Sequence, residues 1–249
     1  MFGQRLGWSS VFQLPFGLYV KLSRTPNEAS AMEYVRTRTT IPVPAILDCP
    51  YSRWLIVMRT LPGKPFSEWE GPKLGNAPKE QLQNLQDGLA DWVNQLRALA
   101  PPDPHRVSGF LGGGVESFRI NDSFTPVGPF RNPAEFHGQI FCKAYPDYPE
   151  PGDERLKRLI AERPHKDYKL CFTHGDILPF NILADDELRL TGLIDWECAG
   201  WMPEYWEKAA SLRSAWIRAE PWSKIIRDGF PEYEDDMILE KRIQLWFQP

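Results

Sequence analysis

The chain has 249 residues, 42% hydrophobic and 13% aromatic, enough for one large domain or two lobes around a shared cleft. Its 29 basic and 33 acidic side chains leave a net charge of -4, without the positive footprint of proteins that bind nucleic acid or anionic lipid. No apolar run approaches the ~20 residues that span a bilayer, no charged-then-apolar leader opens the sequence, and Cys49, Cys142, Cys171 and Cys198 show no CxxC or His-Cys clustering, so a cytoplasmic protein with free thiols and no nucleic-acid or membrane partner is expected.

Val11 to Leu14 and Leu18 to Leu22 are apolar runs separated by Pro-Phe-Gly and predict a hairpin with Lys21 on its second strand. Pro26 and the spacing of Ala29, Met32 and Val35 predict a helix that carries two acids, Glu28 and Glu33. Past the proline-punctuated Thr40 to Pro44, the stretches Pro44 to Leu47 and Trp54 to Met58 predict two more strands. The Thr60-Leu61-Pro62-Gly63 turn that follows is a natural place for backbone groups to face a cleft. From Pro78 to Ala100, the residues Leu82, Leu85, Leu89, Trp92, Val93 and Leu96 recur at helical spacing, and Pro101-Pro102 stops the run. That helix faces the core. Gly109 to Gly114, GFLGGG, lacks the Gly-Lys-Ser/Thr ending of a phosphate loop and precedes no clear helix, so a flexible surface loop is expected. Asn132 through Lys143 and Gly152 to Arg163 predict helices linked by Pro146 to Pro151.

The most informative stretch is Leu170 to Glu197, LCFTHGDILPFNILADDELRLTGLIDWE. Leu170 to Thr173, Asn181 to Ala184 and Leu188 to Ile194 are short and apolar, as buried strands are. A hairpin through the DDE turn returns Asp195 beside the HGDxxxxN loop. Asp176, Asn181 and Asp195 then form a set of oxygen donors at strand ends, hard-ligand chemistry suited to magnesium. Phosphoryl transfer needs such a set: a carboxylate to orient and deprotonate a hydroxyl, and oxygen ligands for the ion bridging the nucleotide phosphates. Asp176 is therefore assigned as base, with Asn181 and Asp195 as metal ligands.

Beyond it, Trp196, Trp201, Tyr205 and Trp206 lie among Glu197, Glu204 and Glu207. Rings with carboxylates suit a cationic, hydroxylated ligand, which makes Trp196, Glu197 and Glu204 candidate substrate contacts, although a helix packed on the lobe would use the same residues. A helix through Ala209, Leu212 and Trp216 is expected next. Glu232 to Asp236 followed by Met237 to Phe247 predicts a terminal helix with an acidic start and an apolar face.

The HGD and DWE motifs resemble the aminoglycoside phosphotransferase family, the small-molecule branch of the protein-kinase-like fold, which carries HGD where protein kinases carry HRD. IPVPAIL (Ile41 to Leu47), LIVMRTLPGKPF (Leu55 to Phe66), GPFRNPAEFH (Gly128 to His137) and IDWECAGWMPEYWE (Ile194 to Glu207) are similar to its fungal members. The resemblance implies an α+β, two-lobed fold with a small, shortened β-rich N-lobe (1–60) and a larger, mainly helical C-lobe (61–249). It implies a kinase that moves the terminal phosphoryl group of ATP or GTP to a hydroxyl of a small molecule, with Mg2+ as the metal. Lys21 would hold the inner phosphates with Glu28 as its partner, Glu33 being the rival. Met58 would lie behind the nucleotide base, the backbone of Arg59 to Leu61 along its edge, and Ile194 against the nucleotide. Only twenty residues precede Lys21 and they hold no GxGxxG, leaving Gly3, Gly7 and Ser9-Ser10 as candidates for a shortened phosphate cover. That shortening keeps an alternative open, a kinase-like fold reused as a non-phosphorylating enzyme of secondary metabolism or a ligand-binding protein. Neither the acceptor nor the oligomeric state is legible.

Overall fold

The computed structural model describes residues 4–5, 10–50, 54–69, 77–120, 125–144, 154–213, 221–230 and 232–246. Gly3, Gly7, Ser9, Trp216 and the Pro146 to Pro151 link lie outside them.

The front of the molecule is an antiparallel sheet of β1 (Gln4–Arg5), β2 (Val11–Leu14), β3 (Leu18–Leu22), β4 (Ile46–Asp48) and β5 (Leu55–Arg59), ordered β1-β2-β3-β5-β4. The stretch ahead of Lys21, short as it is, supplies two strands. Its hairpin register sets Val11 opposite Lys21, and β3 in turn sets Lys21 opposite Ile56, so the lysine rises from the middle of the sheet. Behind it lies α1 (Asn27–Arg38), whose Ala29, Ala31, Met32 and Val35 are buried. Small residues on that face let the helix approach closely, and it leans on the turn at Trp196–Cys198. Glu28 comes with it, on the buried side; Glu33 is exposed.

The larger part is built on α2 (Lys79–Arg97). Its stripe of Leu85, Leu89, Trp92, Val93 and Leu96 shares one core with Phe172, Ile177, Leu178 and Ile182, so the helix does pack beneath the HGD loop. Burying each such side chain stabilises by roughly 1.5–3 kcal/mol, which makes this stripe the main anchor of the loop's floor. Two small antiparallel sheets flank it. One runs β10 (Leu190–Leu193), β9 (Ile182–Ala184), β6 (Lys64–Pro65); the other runs β7 (Ser108–Gly109), β11 (Gly200–Pro203), β8 (Leu170–Thr173). Helices α3 (Pro133–Ala144), α4 (Glu154–Glu162), α5 (Trp206–Ser211), α6 (Trp222–Gly229) and α7 (Glu234–Trp246) complete the lobe. Among the described residues no helix is long and apolar enough to cross a membrane.

Several expectations are corrected. GFLGGG is a surface loop only at its tip, where Leu111 and Gly113 are exposed; its base is pinned. Gly109 belongs to β7, a Cβ there would stand 2.5 Å from the Gly114 carbonyl oxygen, Phe110 stacks on Trp201, and the Leu111 N–H donates to Asn27 Oδ1 at 3.0 Å. The expected helix through Ala209 and Leu212 ends at Ser211, with Leu212 as its cap. Terminal helix α7 turns Asp236 and Glu240 inward beside Leu239, so its packed face is charged as well as apolar. Cys171 and Cys198 are buried free thiols, as expected.

Candidate active site

Strand β8 ends at Thr173, and His174, Gly175 and Asp176 follow it as a buried loop. Gly175 has φ +77°, and a Cβ on it would meet the Cys198 carbonyl oxygen at 2.6 Å, so the turn requires glycine. His174 ties the loop to the next strand. Its Nε2–H donates to the Ile194 carbonyl at 3.0 Å, and its Nδ1 accepts the Asp176 N–H at 3.2 Å. Burial holds it neutral, its pKa pushed down to about 4. From below, the buried Glu207 carboxylate on α5 accepts the N–H of His174 at 2.6 Å and of Gly175 at 3.1 Å. Burial pushes that carboxyl up to about 7 against these two bonds.

Asp176 is itself buried. Its Oδ2 accepts the Asn181 Nδ2–H at 2.7 Å, and the same amide donates to the Asp176 carbonyl at 2.9 Å. Its Oδ1 is ion-paired with Arg213. Burial pushes the carboxyl up to about 6 despite the Arg213 guanidinium, and the charge of Asp195 adds to the rise. A carboxyl poised near neutrality can both take up and release a proton there.

The hairpin β9–β10 brings the third donor home. Leu193 pairs with Ile182, and the Ile194 N–H donates to the Asn181 carbonyl at 3.0 Å, so Asp195 follows directly on a residue bonded to Asn181. Asp195 adopts φ 68°, ψ 68°, a left-handed conformation that costs a non-glycine residue energy and is found at functional turns. Its carboxylate accepts from Lys21 Nζ at 2.5 Å, while Glu28 takes the same ammonium at 2.8 Å and Glu197 lies 3.7 Å away. Burial alone would push the lysine down; the three carboxylates outweigh it and hold the ammonium firmly protonated. Glu28, Asp195 and Glu197 also set one oxygen each within 4.8 Å of one another, hard donors of the kind magnesium takes, with the Lys21 ammonium bonded to the same set.

The remaining predicted residues are spread more widely. Met58 lies half-buried on β5 between Tyr19 and Ile46. The Arg59 N–H is committed to the Ala45 carbonyl and that of Thr60 to Gly17, which leaves Leu61's N–H as the one of the three with no partner among the described residues. Leu61 packs over Gly192, beside the half-buried Ile194. Trp196 is not brought to the cleft surface: it is fully buried and its indole N–H donates to the Leu193 carbonyl. Glu204 is not brought there either. β11 runs antiparallel to β8, with Gly200 opposite Thr173 and Pro203 opposite Leu170, so Glu204 sits at the far end, bonded to Lys169 N–H and the Tyr233 hydroxyl. The acids that pointed to a cationic ligand are thus engaged elsewhere, Glu197 excepted.

Three participants were not read from the sequence. Glu207 and Arg213 act across 32 and 37 residues. The third, Phe118, lies under the Arg213 guanidinium at 5.3 Å. A cavity of 870 Å³ between α5, α6 and α7, walled by Arg155, Lys208, Leu212, Arg227 and Lys241 among others, contains none of the residues of this site.

A small antiparallel sheet with a lysine–glutamate pair, set over a helical lobe that presents Asp, Asn and Asp at its loop ends, defines a kinase-like phosphotransferase. The model of the phosphotransferase enzyme family matches residues 10–237, and the chain belongs to that family. Among solved structures, aminoglycoside phosphotransferase APH(4)-Ia superposes with a TM-score of 0.62 at 15% identity, over 97% of this chain and 82% of that one. The GDP and kanamycin complex of APH(2")-IIia gives 0.63 at 13% identity, over 98% and 81%. The streptomycin–ATP ternary complex of APH(2")-IIa gives 0.61 at 14%, over 98% and 80%. These likenesses establish the fold; the narrower fungal resemblance is carried by none of them. No curated protein matches the sequence.

Proposed function

We propose that the cleft transfers the terminal phosphoryl group of ATP or GTP to a hydroxyl of a small molecule, with Asp176 as base and Asn181 and Asp195 as ligands to Mg2+. The observation that carries this reading is the convergence of Asp176, Asn181 and the Asp195 turn, tied on the other side to the Lys21–Glu28 pair. The lobes divide near residue 60, with 1–60 in front and 61–249 behind. The nucleotide lies between them, its base over Met58 and Ile194 and against the backbone of Arg59 to Leu61, with Leu61's N–H, unpartnered among the described residues, as the donor.

Asp176 accepts the acceptor's hydroxyl proton as that oxygen bonds to the terminal phosphorus. The bond from this phosphorus to the bridging oxygen breaks, and the nucleoside diphosphate leaves with that electron pair. Lys21, fixed by Glu28, supplies a positive charge to the inner phosphates. The metal, when bound, supplies charge neutralisation at the phosphate oxygens, held by Asn181 and Asp195 with Glu197 within reach.

Phosphate transfer from ATP or GTP with Mg2+ tests the assignment. Asp176→Asn should lower kcat by roughly 10²–10⁴-fold while nucleotide still binds. An unchanged rate in that variant, or a wild-type chain that transfers phosphate to no hydroxylated acceptor, overturns it.

A further inference from the structure

We propose that Arg213 reads the charge of the phosphate acceptor and selects a molecule that carries an oxyanion, a carboxylate or a phosphate, beside the hydroxyl to be phosphorylated. Such selection presupposes phosphoryl transfer in this cleft.

The inference starts from how Asp176 is enclosed. One carboxylate oxygen faces Asn181, on the side of the proposed metal ligands, and the other is held by Arg213. The Asp176 side chain is 2% exposed and that of Arg213 15%, so the guanidinium is the outer member of the pair. A hydroxyl that approaches Asp176 from the side opposite Asn181 meets Arg213 first.

To bond that oxygen, the acceptor must share Arg213 with the carboxylate or draw it aside. Arg213 stands over the Phe118 ring at 5.3 Å, and Asp176 is its one carboxylate partner within ion-pair distance among the described residues. Leaving such a cation largely buried and unpaired is costly. An acceptor with its own oxyanion gives the planar fork a replacement partner, since two parallel N–H donors match a carboxylate or phosphate edge. Polycationic acceptors do the reverse: they offer Arg213 nothing and bring like charge against it. Among the described acids nearby, Glu207 is spent on His174 and Gly175, Glu204 lies at the far end of β11, and Asp195 and Glu197 are turned to Lys21. Glu116, on the same loop as Phe118, accepts from Thr25 on the Lys21 side.

The test is a calorimetric titration of the full chain, loaded with Mg2+ and a non-hydrolysable ATP or GTP analogue. Four probes share a hydroxylated three-carbon frame and differ in charge: glycerate, glycerol 3-phosphate, glycerol and 2-amino-1,3-propanediol. The anions should bind roughly tenfold or more tightly than glycerol, with the aminodiol weakest. Whichever anion binds better identifies the oxyanion. Arg213→Ala should abolish the preference, and Arg213→Lys, which keeps the charge and loses the fork, should restore part of it. The lysine variant alone decides the matter if the alanine variant does not fold. Equal affinities for all four probes, tightest binding of the aminodiol, an anion preference that survives in Arg213→Ala, or one undiminished in Arg213→Lys overturns the assignment. A chain that fails to load the nucleotide analogue at all fails one step earlier, and phosphoryl transfer falls with it.

Discussion

The molecule buries charge in two places and treats it differently. In the cleft, Lys21 is shared among Glu28, Asp195 and Glu197, and Asp195 remains 32% exposed. Behind α5, Arg119 and Arg163 are both paired with Glu240, Asp236 takes the Tyr168 hydroxyl with Lys166 at 3.5 Å, and every one of these groups but Lys166 is sealed from solvent. Guanidinium groups there also cover rings, Arg119 over Trp206 at 5.0 Å and Arg163 over Tyr205 at 4.7 Å. The cleft cluster gathers more carboxylates than its one ammonium needs, and one of them meets water. The rear cluster is shut off from water. An open excess of acid is a place to receive a metal cation; a set shut off from water docks one element on another, here α7 on the lobe.

The two clusters should therefore break differently. Glu240→Ala removes the carboxylate that both arginines share, leaving Asp236 at 4.0 Å from Arg163, and should cost about 3–5 kcal/mol in urea unfolding, while the folded fraction binds nucleotide as before. A cost below about 1 kcal/mol would mean that the rear cluster is no lock. The same cluster should confer acid sensitivity through His137, which faces Arg119, Arg163 and Lys166 and bonds the Tyr205 hydroxyl at 2.9 Å. Burial, and then those three cations, push its pKa down to about 2. Below pH ~6.5 the unfolded chain takes up a proton that the folded chain refuses, so stability falls as pH drops. Between pH 7 and pH 5 this amounts to about 2 kcal/mol. His137→Phe should flatten that slope even if it lowers stability at pH 7, and an unchanged slope would assign the acid sensitivity to other groups. The smallest stability effect belongs to the cleft: Asp195→Asn should cost under about 1 kcal/mol in urea, because the side chain is part-exposed and Lys21 keeps Glu28. A larger loss would make the cleft cluster a structural element like its counterpart.

Local patterns carried much of this. The apolar runs around HGDxxxxN, the DDE turn and the α2 stripe each follow a period that sequence alone displays, and together they fix where Asp176, Asn181 and Asp195 stand along the chain. β11 was missed because Gly-Trp-Met-Pro has neither alternation nor length, and its partner β8 is thirty residues upstream. Trp196 and Trp201 were ambiguous for the same reason, since an indole beside an acid reads alike whether it faces a ligand or a core. α6 left a usable signal: Pro221 before Trp222, then Ile225 and Ile226 at helical spacing with Gly229 at the end. Arg213 and Glu207 left none, because each meets its partner only after the lobe has folded. In the front lobe β2 was legible from its apolar run, whereas β1, the polar pair Gln4–Arg5, carries no pattern.

Titration with ATP or GTP, with and without Mg2+, on the wild type and Asp195→Asn tests most directly whether the cleft is a metal-dependent phosphoryl-transfer site. Saturable binding that strengthens with Mg2+ in the wild type, and loses that strengthening in Asp195→Asn, is the expected result. Binding indifferent to Mg2+, or equally Mg2+-dependent in the variant, would contradict it.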